Sequence, residues 1–142
     1  MPDTVLSFDF GLRRIGVAIG QSLTGTATAL ATIDNPADEL NWTAITGLVE
    51  AWHPDAMVVG IPLTEAGEEQ AITRAARSFA GKLADRYRLP VHHADERYTS
   101  VAAEARFRDQ RRAGQLRRRN RDKLDAVAAK LILEQWFADR AT

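Results

Sequence analysis

This sequence predicts an α/β fold, a mixed sheet flanked by helices, on three observations. Its N-terminal part consists of short runs that alternate between two faces with a period of two. Two later stretches repeat apolar residues every three or four positions, and short apolar runs stand between them. The resulting order is β-β-β-α-β-α-β-α-α, three meandering strands and then strand-helix alternation. That order gives a mixed five-stranded sheet with parallel pairing in its second half, because a strand reached through a crossover helix runs parallel to the one before it.

Each element has its own signal. From Val5 to Phe10, Val5, Ser7 and Asp9 share one face and Leu6, Phe8 and Phe10 the other, which makes a strand. Gly11 to Arg14 is a turn, and Ile15 to Ile19 resumes the strand pattern, a hairpin with a small-residue return at Gly16. A third strand lies between Thr24 and Ile33. After the Asn35-Pro36 breaker, a helix over 37–52 places Leu40, Ala44, Leu48 and Ala51 along one stripe, and His53-Pro54 ends it. Ala56 to Gly60 is a short buried strand. Ile72, Ala76, Phe79, Leu83 and Tyr87 mark an amphipathic helix from about Glu68 to Tyr87, and Pro90 to Ala94 a further strand. Thr99 or Ser100 caps a helix running to about Gln110, a basic loop follows, and a last helix begins near Asp122. Trp42, Trp52 and Trp136 fall at helical core-type positions or ends and read as packing residues rather than base-stacking ones.

With 142 residues, 45% of them hydrophobic, the chain suits one domain over residues 1–142. A domain of that size buries roughly two thirds of its unfolded surface. No run of about 18 apolar residues is present, and the start MPDTVLSFD has neither the basic region nor the apolar core of a signal peptide, so a cytoplasmic protein without membrane attachment is expected. The absence of cysteine excludes disulfides, thiolate metal sites and a thiol nucleophile. Of the three histidines, His92 and His93 are consecutive on a short strand and point to opposite faces; a structural role fits them better than general acid catalysis.

The formal net charge of zero hides an asymmetry. Arg106, Arg108, Arg111, Arg112, Arg117, Arg118, Arg119 and Arg121 stand against a single acid, Asp109, so the basic loop over 106–121 carries +7 and the rest of the chain −7. A run of charges is often only a solvated face. Guanidinium binds phosphate bidentately, however, and the release of counterions drives such binding, so the loop reads as a polyanion contact. Arg13 and Arg14 in the first turn are further candidates for gripping a phosphate backbone, which makes nucleic acid the expected partner.

Acidic residues stand where elements end. Asp9 closes a hydrophobic strand just before Gly11, where a buried carboxylate needs a cation or a donor; metal ligation is favoured, with capping of the turn through backbone N–H groups as the alternative. Asp95 and Glu96 follow the strand 90–94, and pleating sends them to opposite faces, so one of the two points into any shared cleft. Asp125 lies on the stripe of Ala129, Ile132 and Trp136, an unfavourable place for an acid without a ligand. With Asp122 as N-cap it is also the N3 residue, where an acid favours the helix dipole. If the fold joins these positions, they form a carboxylate cage for a hard divalent cation, and two such ions clamp the attacking and leaving oxygens of a phosphodiester.

Four segments, DFGLRRIGVAIG, VVGIPL with the later Gly67, ADERYTS and DKLDAVAAKLIL, resemble in order and approximate spacing the YqgF (RuvX) family, across residues 5 to about 136. Ile61, the stretch Thr64-Glu65-Ala66 and Gly20-Gln21 depart from the usual family residues, which bears on substrate contacts more than on the cage. The resemblance implies a ribonuclease H-like fold and a metal-dependent nuclease, with roles described as maturation of the 5′ end of pre-16S rRNA and resolution of Holliday junctions. It implies Asp9, Glu96 and Asp125 as catalytic metal ligands for Mg²⁺ or Mn²⁺, with Asp95 as the alternative neighbour. Arg97 beside them would orient Glu96 or offset transition-state charge. The expected reaction is phosphodiester hydrolysis leaving 5′-phosphate and 3′-hydroxyl ends. Processing of pre-rRNA, with the ribosomal particle as a further partner, suits a monomer; symmetric cutting of branched DNA calls for a homodimer. A non-catalytic RNA- or ribosome-binding module would use the arginines alone. An actin-like phosphotransferase shares the Asp-x-Gly start but needs two lobes, for which the chain is short.

Overall fold

Both faces of β1 (Thr4–Asp9) are covered, which makes it the centre of the sheet. The computed structural model describes residues 3–63, 66–95 and 118–140, with side chains in the last stretch from Leu124 onward. β1 pairs antiparallel with β2 (Arg14–Gln21), which pairs antiparallel with β3 (Thr26–Asp34); on its other edge β1 pairs parallel with β4 (Ala56–Ile61), and β4 parallel with β5 (Val91–Asp95). The sheet order is therefore β3-β2-β1-β4-β5, the expected mixed five-stranded arrangement.

Helices flank the sheet on both sides, and the strand alternation decides what each one meets. Leu6, Phe8, Val17, Met57 and Val59 point to a core shared with Ile45 of α1 (Trp42–Trp52) and with Ala76, Phe79 and Leu83 of α2 (Ala71–Tyr87). Phe79 is the hub of this layer: Phe8 meets it edge-on with ring centroids 5.6 Å apart, and Phe10 and Trp42 lie at 5.0 and 6.2 Å. Val5, Val58 and Ala56 point the other way, to Ile132, Leu133, Trp136 and Phe137 of α3 (Arg118–Arg140). Every residue of β4 is buried, as expected of a parallel strand covered on both faces.

Local signals account for the helix ends. Asn41 caps α1 by accepting from the Ala44 N–H at 3.2 Å, and His53 ends it in the left-handed region at φ 46°, its N–H donating to the Val49 carbonyl. Thr73 of α2 accepts from the Gln70 N–H and donates to the Pro62 carbonyl, which ties the loop after β4 to the helix.

Three expectations need correction. The helix placed at 37–52 starts at Trp42, because Pro36–Asp38 form a short 3-10 turn in which Ala37 and Asp38 take φ of 54° and 59°. Ile45 is its fully buried residue, and Leu40, Ala44 and Leu48 of the expected stripe pack against the core, but Ala51 and Trp52 are exposed, so Trp52 is not a packing residue in the way Trp42 and Trp136 are. The last helix, expected from near Asp122, is already formed at Arg118: Arg118, Arg119 and Arg121 are helical, since arginine favours helix and no Gly or Pro interrupts the run. The rest of the basic loop and the helix expected between about 99 and 110 lie outside the described residues. No helix among the described residues is long and apolar enough to cross a membrane.

Candidate active site

Asp9 ends the central strand with glycine on both sides of it in the sheet. Gly16 is its partner in β2 and Gly60 its partner in β4, and Gly60 in turn pairs with Ala94 of β5. Gly16 pairs in turn with Thr32 of β3, so Asp9 is the ionisable residue of this row. It shares its face with Ser7, which reaches α3, so the half-buried Asp9 carboxylate stands in a clearing on the α3 side.

Asp125 comes to that clearing through Gly16. A Cβ at Gly16 would lie 1.9 Å from the Asp125 carbonyl oxygen and 2.3 Å from its carbon, so the helix backbone fills the space that a side chain would occupy. The same packing recurs one and two strand pairs further on, where Ala18 opposes Ser7 and a Cβ at Gly20 would meet Leu133 at 2.7 Å. Small residues at alternate positions of β2 thus let α3 settle on the sheet, with Asp125 directly over the strand neighbour of Asp9. Asp125 is not an N3 residue: it is well inside the helix, beyond the reach of the cap that Asp122 was expected to provide.

Arg14 completes what the structure joins here. Its Nε lies 3.2 Å from Oδ2 of Asp125, an ion pair without the alignment of a hydrogen bond, between side chains 36% and 28% exposed. Arg13, by contrast, is exposed on the preceding turn, where its carbonyl accepts from the Asn35 N–H at 2.8 Å. The buried Asn35 amide also donates to the Leu12 carbonyl at 3.3 Å, which stitches this turn to the segment after β3.

Asp95 is exposed at the end of β5, level with Ile61 of the α1/α2 core, whereas Ala94 packs on the α3 cluster. Register therefore sets Asp95 on the face opposite Asp9. Glu96, Arg97, Arg111, Arg112 and Arg117 lie outside the described residues. Among the described residues no three His, Asp or Glu side chains form a group able to hold a metal ion. Asp9 and Asp125 lie on two rigid elements that meet at Gly16, and a donor set of carboxylate oxygens suits Mg²⁺ or Mn²⁺.

His92 is a packing residue: its ring centroid is 5.1 Å from that of Trp136, and burial, followed by the charges of Arg140 and His93, lowers its pKa from the usual 6.5. Gly67 takes φ of 82°, which favours glycine in the loop before α2. A cavity of about 290 Å³ opens between Leu23 and Thr24 of the β2–β3 turn and Phe137 and Arg140 of α3. It lies about 20 Å along β2 from Gly16 and is unrelated to the carboxylates.

The fold is that of the ribonuclease H-like nucleases. Thermus thermophilus RuvC in complex with a Holliday junction substrate superposes with a TM-score of 0.56 at 16% identity, covering 97% of this chain and 95% of that one. The sequence matches the RuvX family, described as Holliday junction resolvase, over residues 3–139, and the chain belongs to that family. A protein of Xylella fastidiosa (strain M23) is 50% identical over 135 residues, 95% of this chain and 87% of the relative. One of Xanthomonas axonopodis pv. citri (strain 306) is 46% identical over 144 residues, 99% and 93% of the two chains. Both are named "Putative pre-16S rRNA nuclease".

Proposed function

We propose that this protein is a cytoplasmic, metal-dependent endonuclease that hydrolyses phosphodiester bonds and processes the 5′ end of pre-16S rRNA. The observation that carries the reading is the glycine-flanked clearing in which Asp125 is set over the strand neighbour of Asp9. Such a site is costly to build from carboxylates alone and suits a cation between them. Asp9 and Asp125 would hold Mg²⁺ or Mn²⁺, with Glu96 as the third ligand, chosen over Asp95 because its position matches the family motif and Asp95 is set on the other face. Bound divalent ions supply a water of lowered pKa and charge stabilisation for the departing oxygen. The arginines of 106–121 and Arg13 would hold the nucleic-acid backbone outside the clearing.

Resolution of branched DNA is the second reading, favoured by the description of the family and by the junction-bound structure of the same fold. It ranks second because that structure is 16% identical, whereas the relatives named for rRNA processing match nearly the whole chain at 46–50%. The test is cleavage by purified protein with Mn²⁺ of precursor rRNA, single-stranded RNA and a four-way junction, beside Asp9→Asn. Metal-dependent cutting of the precursor, lost in Asp9→Asn while RNA binding and folding persist, is expected. Cleavage retained in that variant would remove Asp9 from the site, and preferential cutting of the junction would establish the second reading.

A further inference from the structure

We propose that Arg14 is a positioning residue for Asp125: its guanidinium holds one of the two carboxylate oxygens and so determines how Asp125 meets a divalent cation. This rests on the nuclease reading above. Arg14 opens β2 two residues before Gly16, so strand alternation puts its side chain on the α3 face, the same face as the glycine over which Asp125 packs. The contact therefore joins a strand to a helix whose separation is already fixed by backbone packing. Asp125 Oδ2 is buried at 3.2 Å from Arg14 Nε, while the side chain as a whole is 28% exposed, so its exposure belongs to the remainder of the group. The arginine thus holds one identified oxygen of a carboxyl group that remains partly exposed.

An ion pair between side chains about a third exposed adds little to stability, which leaves orientation as its main consequence. It also has an electrostatic one. A cation beside a ligand oxygen competes with a metal ion for the same negative charge. Arg14 should accordingly weaken metal binding while improving the geometry in which Asp125 acts, two effects of opposite sign. A brace that merely supports the fold would move both in the same direction.

The experiment titrates the full-length protein with Mn²⁺ alone, by calorimetry or electron paramagnetic resonance, and follows melting temperature and cleavage rate in parallel. In Arg14→Gln, Mn²⁺ affinity should rise about threefold to fivefold, the change expected from losing one partly exposed charge. Cleavage should fall by about tenfold or more, as misplaced ligands cost rate steeply. Arg14→Lys should restore the weaker Mn²⁺ affinity without restoring cleavage, since an ammonium supplies the charge but not the planar contact. Weaker Mn²⁺ binding in Arg14→Gln, with a lowered melting temperature, would make Arg14 a structural brace and overturn the proposal. Asp125→Asn separates the two levels: Mn²⁺ binding unchanged in that variant removes Asp125 as a ligand, and with it the underlying reading, whatever Arg14 does.

Discussion

Ser7 Oγ donates a 2.7 Å hydrogen bond to the carbonyl of Ala129, across the boundary between the central strand and the last helix. Ser7 is completely buried, two residues before Asp9 on the same face, and Ala129 is one helical turn beyond Asp125. The bond thus lies one step behind both carboxylates and fixes the height of the helix on the strand. Ser7→Ala should cost about 1 kcal/mol, the net worth of one hydrogen bond whose acceptor keeps its partner within the helix. Urea unfolding measures it; an unchanged midpoint would mean that backbone packing alone sets the helix.

Gly16 and Gly81 make the same substitution act in opposite directions. Alanine at 16 would drive Cβ to 1.9 Å from a backbone oxygen of Asp125, which no rotamer change relieves, so the helix must shift. Overpacking of that kind costs about 1–3 kcal/mol, and cleavage should fall with it because Asp125 moves. Gly81 lies on the exposed side of α2 with nothing within 4 Å of a Cβ. Gly81→Ala should stabilise by about 0.5–1 kcal/mol through helix propensity. Thermal melts of the two variants check both signs at once.

The strands could be read from the sequence because their two faces meet different partners: Leu6 and Phe8 face one core, Val5 and Ser7 the other, so the period of two survives full burial. Asp9 and Asp125 also stood out, as acids at the end of an apolar strand and on an apolar stripe. Three features were hidden for physical reasons. The start of α1 depends on left-handed backbone at Ala37 and Asp38, residues without a glycine's signature. The arginines from 118 were read by charge, as a loop, although their propensity is helical. Arg14 reads as a phosphate contact in the sequence because Asp125, with which it pairs, is far along the chain. The pattern Gly16-x-Ala18-x-Gly20 did hold a signal, a stripe of small residues that invites a close-packed helix, but which helix only the fold decides.

His92 gives stability a pH dependence. Burial, Arg140 and His93 lower its pKa in the folded chain, so below about 6.5 the unfolded chain takes up the proton more readily than the folded one. Stability contributed by neutral His92 is present above that pH and is lost as pH falls through the folded value. His92→Phe keeps a ring against Trp136 without a titrating nitrogen. Urea unfolding at about pH 7.5 and about pH 5.5 should show a smaller loss in the variant than in the wild type. Equal losses would assign the acid sensitivity to other groups.

Arg118, Arg119 and Arg121 place three cations within four residues of α3. Such a charge run brings a helix no packing and some self-repulsion, whereas guanidinium groups hold a phosphate backbone. Replacing all three by glutamine should therefore leave the melting temperature nearly unchanged while weakening RNA binding. The slope of log affinity against log salt should fall by about 2–3 units, one contact per arginine lost. Filter binding across a salt series measures this, and a slope equal to that of the wild type would place the phosphate contacts elsewhere in the chain.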